Sequence, residues 1–150
     1  MSIQFTSKKV GELLKEGKLR IPSYQRPYKW NRKHIRNLFY DLRDAMEKKE
    51  YQVGSVILHE NGEYLDIVDG QQRLISISLF LHLLEKLENY EGANQLLSAE
   101  EFGEMSCYHA SENYNEWKNL TQLVGENQAK DICNFLLENC SVSVITMPQE

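Results

Sequence analysis

Residues 64–74 read YLDIVDGQQRL and join three elements of secondary structure. Residues 64–68 predict a strand, and a glycine turn follows at Gly70. From Leu74 to about Asn89 the side chains are apolar on nearly every face, which predicts a helix buried on several sides. The chain therefore passes from a strand through a tight turn into a core helix, and the other elements are organised around this passage.

Two interpretations of this turn follow from its residues. The first N–H groups of a helix have no partner within it and lie at the positive end of its dipole, so such a turn can bind phosphate. Gly70 lets the backbone approach a ligand, and Arg73 adds a forked cation. Alternatively, Asp69 caps the helix and Gln72 returns the hydrogen bond, which is a capping box without a ligand. The spacing leaves both interpretations open, although Asp69, Gln71, Gln72 and Arg73 supply more polar groups than a cap requires.

A hairpin delivers the chain to this turn. Residues 53–59 (VGSVILH) predict a strand, and Asn61-Gly62 is a strong signal for a hairpin turn. We therefore expect residues 64–68 to return antiparallel to residues 53–59.

The composition is typical of one soluble globular domain. The chain has 150 residues, of which 41% are hydrophobic and 26% charged. No apolar run is long enough to cross a bilayer and no signal peptide opens the chain, so we expect no membrane association. Three widely spaced cysteines, Cys107, Cys133 and Cys140, favour a reduced cytoplasm and buried free thiols over a metal site.

The net charge of −5 conceals a strong asymmetry. Residues 8–36 contain ten Lys or Arg and two acids, a local charge of +8, whereas the other residues contain seven basic and twenty acidic side chains, a charge of −13. The basic segment can meet an anionic ligand, and DNA is one candidate.

The remaining elements are assigned from periodicity and capping. We expect a short helix over 8–16 behind a Ser7 cap, an irregular segment over 19–30, a helix over 32–49 capped by Asn31, and one short helix within 92–105. Further helices are expected over 111–124 and 126–139, and a strand over 141–147. The inward-facing residues of those last two helices are expected to be Trp117, Leu120, Leu123, Ile132, Phe135 and Leu136.

Two motifs together resemble a known family. The first is Ile21-Pro22-x-Tyr24-Gln25-Arg26-x-Tyr28-x-Trp30, and the second, after a helix and a strand containing Gly54, is Asp69-Gly70-Gln71-Gln72-Arg73-Leu74. In order and spacing they are similar to the N-terminal domain of GmrSD-type modification-dependent restriction proteins. The resemblance runs from about Thr6 to the strand at 141–147.

This resemblance implies a fold and a site. The fold would be α/β and ParB/sulfiredoxin-like, a small mixed sheet wrapped by helices, with residues 1–150 as a single domain. A nucleoside triphosphate would bind at Asp69, Gly70, Gln71, Gln72 and Arg73, with hydrolysis in several members, in which Asp69, Gln72 and Arg73 would be the catalytic residues. Tyr24, Gln25 and Arg26 would face the phosphates from the other motif. A carboxylate beside phosphate is repulsive unless a cation intervenes, so Asp69 implies Mg²⁺.

The sequence departs from the family pattern at its C-terminal end. Members continue past the last strand into further segments, including an HNH-type nuclease domain, whereas this chain stops at Glu150. We therefore expect a truncated product or fragment that cuts no DNA by itself and meets DNA through a separate nuclease domain or subunit. Two alternatives to a nucleotide-binding module stay open: a DNA-binding module that uses residues 8–36, and a partner-binding fragment without catalysis.

Overall fold

The computed structural model describes residues 2–22, 27–98 and 108–149. Within these ranges the strands are β1 (Gln4–Lys9), β2 (Leu19–Arg20), β3 (Tyr51–Asn61), β4 (Tyr64–Asp69) and β5 (Cys140–Met147). The α-helices are α1 (Val10–Leu14), α2 (Arg32–Ala45), α3 (Gln71–Leu83), α4 (Glu91–Ser98), α5 (Tyr108–Val124) and α6 (Glu126–Asn139). Short 3₁₀ turns, Met46–Lys48 and Leu87–Asn89, follow α2 and precede α4.

The described strands form one mixed sheet in the order β1-β5-β3-β4-β2. β5 is antiparallel to β1 and parallel to β3, while β4 is antiparallel to β3 and parallel to β2. This arrangement confirms the predicted α/β class with a mixed sheet and helices around it. The more specific ParB-like assignment stays a prediction.

The expected hairpin is present and is longer than predicted. β3 and β4 pair around the Asn61-Gly62 turn, with Asn61 opposite Tyr64. β3 is irregular at two points: its register against β5 shifts between Gln52 and Ser55, and its register against β4 shifts after Ile57. Such bulges bend the strand and change the direction in which neighbouring side chains point. The first of them places Gly54 beside the start of α3.

Helix α3 forms the centre of the core. Every residue from Leu74 to Leu81 is buried, and the ring of Phe80 stacks on Trp117 of α5 at 4.1 Å between centroids. The buried face of α2, which includes Leu38 and Phe39, belongs to the same hydrophobic cluster. The expectation that α2 and α3 share one core is confirmed. A helix held on several sides gives a rigid base for groups at its first turn.

The N-terminal assignment was wrong. Residues 8 and 9 do not begin a helix behind a Ser7 cap, because they belong to β1, in which Ser7 lies opposite Ser143 of β5. The helix begins only at Val10 and ends at Leu14, before Gly17. Pairing with a strand more than 130 positions away in the sequence overrode the local helical pattern.

Three other expectations need correction. The helix predicted over 32–49 ends at Ala45, and the one predicted over 74–89 begins at Gln71 and ends at Leu83. Leu123, expected to face inward, is 69% exposed. The helix expected within 92–105 is α4 in its first part, while residues 99–107, including Cys107, lie outside the described residues. No helix of the described ranges has the length and apolarity needed to cross a membrane.

Candidate functional site

The turn between β4 and α3 is formed by Gly70 in a left-handed conformation. Its φ is +96°, and a Cβ atom at this position would lie 3.0 Å from both the carbonyl oxygen of Ser55 and Cγ2 of Val56. A side chain here would therefore be strained and would also press against β3. Only glycine lets β4 pass into α3 this closely beside β3.

The capping-box interpretation of this turn is wrong. The N-cap of α3 is Gly70 and not Asp69, and the helix start has no side-chain cap hydrogen bond. Within the described ranges, the first backbone N–H groups of α3 donate to no side chain, and they lie at the positive end of a 13-residue helix. This is the local chemistry that suits an anion.

Arg73 extends over this helix start. A Cβ atom on Gly54 would lie 2.5 Å from Nη1 of Arg73, so the guanidinium occupies the space that the absent side chain leaves. The guanidinium carbon lies 5.9 Å from the centroid of the Trp30 ring. No carboxylate in the described part of the chain forms an ion pair with Arg73. The site thus presents a positioned cation that has no counter-ion among the described residues.

Gln72 ties the first motif to the second. Its Oε1 accepts hydrogen bonds from the backbone N–H groups of Lys29, at 2.7 Å, and Trp30, at 3.1 Å. Its Nε2 donates to the carbonyl oxygen of Pro27 at 3.3 Å. Both ends of the amide therefore hold the loop that carries Trp30 against the first turn of α3.

Gln71 and Asp69 have contrasting surroundings. Gln71 is buried, and its Nε2 donates to the carbonyl oxygen of Ile67 at 2.7 Å, which fixes the turn to β4. Asp69 is exposed at the end of β4, and its carboxylate has no hydrogen-bond or ion-pair partner among residues 2–22, 27–98 and 108–149. Asp69 is therefore the free acidic group at the mouth of the site.

A buried polar network supports the loop from behind, and sequence reasoning missed it. Asn113 of α5 donates from Nδ2 to the Tyr28 hydroxyl at 2.8 Å and to the Trp30 carbonyl at 2.7 Å. The Tyr28 hydroxyl is also hydrogen-bonded to Ser76, whose carbonyl accepts from the Trp117 indole at 2.9 Å. Ser76, one of two serines within the apolar run from Leu74 to Leu81, was the available signal. The partner from α5 could not be deduced from its position in the sequence.

These groups surround a cavity of about 350 Å³. It is lined by Trp30, Gly54, Ser55, Val68 and residues 69–73. This volume lies near the lower end of the range for small-molecule sites. In the ranges that the structure describes, no group of three His, Cys, Asp or Glu side chains is placed to hold a metal ion.

The structure brings together one of the two predicted sets of site residues. Asp69, Gly70, Gln71, Gln72 and Arg73 all line the cavity. Tyr24, Gln25 and Arg26 lie outside the described residues. Trp30, which the sequence analysis named only as the last residue of the first motif, lines the same cavity and joins the site.

The basic N-terminal segment is partly neutralised. Lys8 pairs with Glu16 at 3.8 Å, Arg32 with Glu112 at 3.8 Å, and Arg36 with Glu116 at 3.5 Å. The cation of each pair is at least 35% exposed, so each pair is weak individually, but each places an acid beside a cation that DNA would need.

A fourth cation, Arg20, is more firmly held. Its Nε and Nη2 donate to the two carboxylate oxygens of the buried Asp66 at 2.8 and 3.2 Å, and Asn61 donates to the same carboxylate. Burial raises the pKa of Asp66, but the hydrogen bonds from Arg20 and Asn61 outweigh it and hold that pKa below its usual value. Arg20 therefore joins β2 to β4 and is not a free phosphate contact.

Comparison with known proteins yields one family. The model of the family described as "GmrSD restriction endonuclease, N-terminal domain" matches residues 10–148. No curated protein sequence matches the chain at a significant level.

Proposed function

Because the chain belongs to the family of GmrSD restriction endonuclease N-terminal domains, we propose that it is the nucleoside triphosphate-binding, regulatory module of such a restriction system. The triphosphate binds at the turn from Asp69 to Arg73. The observation that carries this proposal is the Arg73 guanidinium, held beside an uncapped helix start without a described counter-ion.

The cavity suits a polyphosphate chain in its donors and in its shape. The N–H groups at the start of α3 point toward an anion, and Arg73 can donate two parallel hydrogen bonds to phosphate oxygens. Gly70 allows the turn, and Gly54 allows the Arg73 guanidinium, to lie this close to β3, because a Cβ atom at either position would meet Ser55 or Arg73 at 3.0 Å or less. The N–H groups at the start of α3 and the Arg73 guanidinium therefore lie at the same cavity.

The other residues of the turn divide the supporting roles. Gln72 positions the site, because both ends of its amide already bind the backbone of the loop at 27–30. Gln71 positions the turn through Ile67. Tyr24, Gln25 and Arg26 keep the phosphate-facing role that the family resemblance implies for them.

Asp69 gives the site a place for Mg²⁺ and for hydrolysis. Its exposed carboxylate can ligate Mg²⁺ or orient an attacking water, and the described residues offer no three-ligand protein cage. Mg²⁺ typically takes one or two carboxylates together with phosphate oxygens and water, and when bound it neutralises phosphate charge. Nucleotide affinity should accordingly depend on Mg²⁺ and on Asp69.

A primary role in binding DNA is less well supported than a role in binding a nucleotide. Four of the basic residues between 8 and 36 pair with acids within the described ranges, at 2.8–3.8 Å. We therefore assign contact with DNA to a separate nuclease domain or subunit of the system.

The proposal is tested by binding and hydrolysis measurements on matched variants. A thermal-shift panel of ATP, GTP, CTP and UTP with Mg²⁺ should show stabilisation of the parent, because a ligand that binds only the folded state raises its stability. Calorimetry should then show that Arg73→Ala loses on the order of 1.5–3 kcal/mol of binding free energy, while Arg73→Lys recovers part of it.

Arg43→Ala is the control, because it removes the same charge from an exposed position near the end of α2. Its affinity should match that of the parent. Phosphate release, compared between the parent and Asp69→Asn, separates hydrolysis from binding. Equal affinity of the parent and Arg73→Ala for every nucleotide that binds would contradict the proposed site.

A further inference from the structure

A second cavity adjoins the first across Trp30 and Arg73. Its volume is about 200 Å³. The side chains that give it its chemistry are Trp30, His34, Asn37, Asp41, Tyr51 and Arg73. The first cavity is small for a whole nucleotide, so a ligand with its phosphates at the start of α3 would extend into neighbouring space.

The Trp30 ring is held in position before any ligand arrives. Its backbone N–H donates to Gln72, and its carbonyl oxygen accepts from Asn113. The ring stacks on His34, with 5.1 Å between centroids and 16° between planes. His34 takes up one face of the ring and the Arg73 guanidinium lies 5.9 Å from its centroid, so a flat ring that stacks on Trp30 requires the flexible Arg73 side chain to turn toward the phosphates. The stacking itself loses little entropy, because the indole is already ordered.

Helix α2 places polar groups along the same cavity. His34, Asn37 and Asp41 follow the i, i+3, i+7 spacing and therefore lie on one face of the helix. The side chains of Asn37 and Asp41 are exposed and make no hydrogen bond or ion pair within the described ranges. An amide both donates and accepts, while a carboxylate accepts only. Together they can distinguish the hydrogen-bonding edges of different bases.

Arg73 connects the two cavities. It lines both of them. Burial and the nearby Asp41 raise the pKa of the Tyr51 hydroxyl, and Arg73 opposes this shift, so Asp41 and Arg73 both act electrostatically on Tyr51. Because Arg73 and Asp41 line the same cavity, a ligand that contacts Arg73 with its phosphates has Asp41 within reach of its other end.

Resting on the proposed function, we infer that the second cavity is a nucleobase subsite, in which Trp30 stacks on the base and Asn37 and Asp41 read its edge. The ligand class is then a complete nucleotide, and base selectivity resides in α2 and not in the turn that binds the phosphates.

Inorganic tripolyphosphate separates this inference from the proposed function. Calorimetry with Mg²⁺ should show that the preferred one of ATP, GTP, CTP and UTP binds the parent more tightly than tripolyphosphate. Trp30→Ala should weaken that nucleotide about 5-fold to 100-fold, the range expected for loss of one base–aromatic stack. Because Trp30 also lines the first cavity, tripolyphosphate binding is measured on the same variant, and the loss for the nucleotide should exceed the loss for tripolyphosphate by at least about fivefold. Trp30→Phe should retain much of the nucleotide affinity.

Asp41→Asn tests the reading of the base edge without disturbing the core. It should change the ratio of affinities between the preferred and least preferred nucleotides by about tenfold, as expected when an ionised acceptor of a hydrogen bond is lost. Asp44→Asn is the matched control, because it removes the same charge from an exposed position on the same helix and lines neither cavity. It should leave the ratio unchanged.

The outcomes separate the two claims. If tripolyphosphate and nucleotides all fail to bind, both the proposed function and the subsite are wrong. If tripolyphosphate binds as tightly as every nucleotide, if Trp30→Ala weakens nucleotide and tripolyphosphate equally, or if Asp41→Asn leaves the base ranking of the parent intact, the subsite is wrong while the phosphate site stands. A changed ranking in Asp41→Asn but not in Asp44→Asn supports the subsite.

Discussion

Gly54→Ala should impair the site although it replaces no residue of the DGQQR turn. The new methyl group would lie 2.5 Å from Nη1 of Arg73, a distance that nonbonded atoms do not tolerate. The guanidinium is the end of a flexible side chain, so it would move aside, and its charge-assisted hydrogen bonds to phosphate would be lost. We expect a loss of about 1.5–3 kcal/mol in binding free energy, which is about 10-fold to 150-fold in affinity.

The same substitution also strains the backbone. Gly54 has a φ of +128°, which costs a residue with a Cβ atom about 1–3 kcal/mol of folding free energy. Gly62→Ala is the control, because Gly62 also has a positive φ, of +67°, but nothing lies within 4 Å of a Cβ atom there. It should cost about 1–2 kcal/mol of stability and leave affinity unchanged.

The assay is calorimetric titration with tripolyphosphate and Mg²⁺, together with denaturant unfolding of each variant. A double mutant supplies the decisive comparison. In an Arg73→Ala background, Gly54→Ala should change affinity by less than about twofold, because the group that it displaces is already absent. Undiminished affinity in the single variant Gly54→Ala would show that Gly54 does not set the position of Arg73. The same conclusion would follow if the affinity losses of the two substitutions added fully in the double mutant.

Three further predictions concern stability and activity. Leu38→Ala and Leu79→Ala should each reduce the free energy of unfolding by about 2–5 kcal/mol, as measured by denaturant titration, because both side chains are buried in one core; changes within experimental error for both would contradict that packing. The pKa of Asp66 is lowered in the folded state, so its contribution to stability is present above the ordinary carboxyl pKa and is lost as pH falls toward the folded value. Unfolding curves across this acidic range should therefore depend less on pH in Asp66→Asn than in the parent, and identical dependence would count against the Arg20 pair. The chain alone should not cleave plasmid DNA, modified or unmodified; metal-dependent nicking that a point mutation in this chain abolishes would overturn this expectation.

Local signals predicted those parts of the fold that depend on neighbouring residues. Asn31 caps α2 as expected, with its side-chain oxygen accepting from the N–H groups of Lys33 and His34. The Asn61-Gly62 pair correctly placed the hairpin. In both cases the deciding hydrogen bonds form between residues only a few positions apart, so the local sequence is sufficient to predict the feature.

Features that depend on distant partners were not predictable in the same way. β1 forms because it pairs with β5, and the local pattern at Lys8 and Lys9 gave no sign of that partner. The helix start at Gln71, instead of Leu74, follows from the left-handed conformation of Gly70 against β3.

The candidate site shows the same division between local and distant causes. Asp69 to Arg73 are adjacent in sequence, and their convergence was predictable from the turn. That Gln72 binds the loop at Trp30, and that Asn113 supports this loop from α5, depends on packing between elements more than 40 residues apart. The sequence therefore indicated the turn that is proposed to bind phosphate, but not the groups that position it.

The central claim is that phosphate binds at the first turn of α3. A ¹⁵N–¹H NMR titration of the labelled chain with ATP, GTP, CTP, UTP and tripolyphosphate in the presence of Mg²⁺ tests this location directly. If phosphate binds there, the largest amide shifts should occur at residues 70–73 and at Ser55, and Arg73→Ala should greatly reduce them. Saturable binding whose shifts centre on β1 or α6 and leave residues 70–73 unchanged would contradict it.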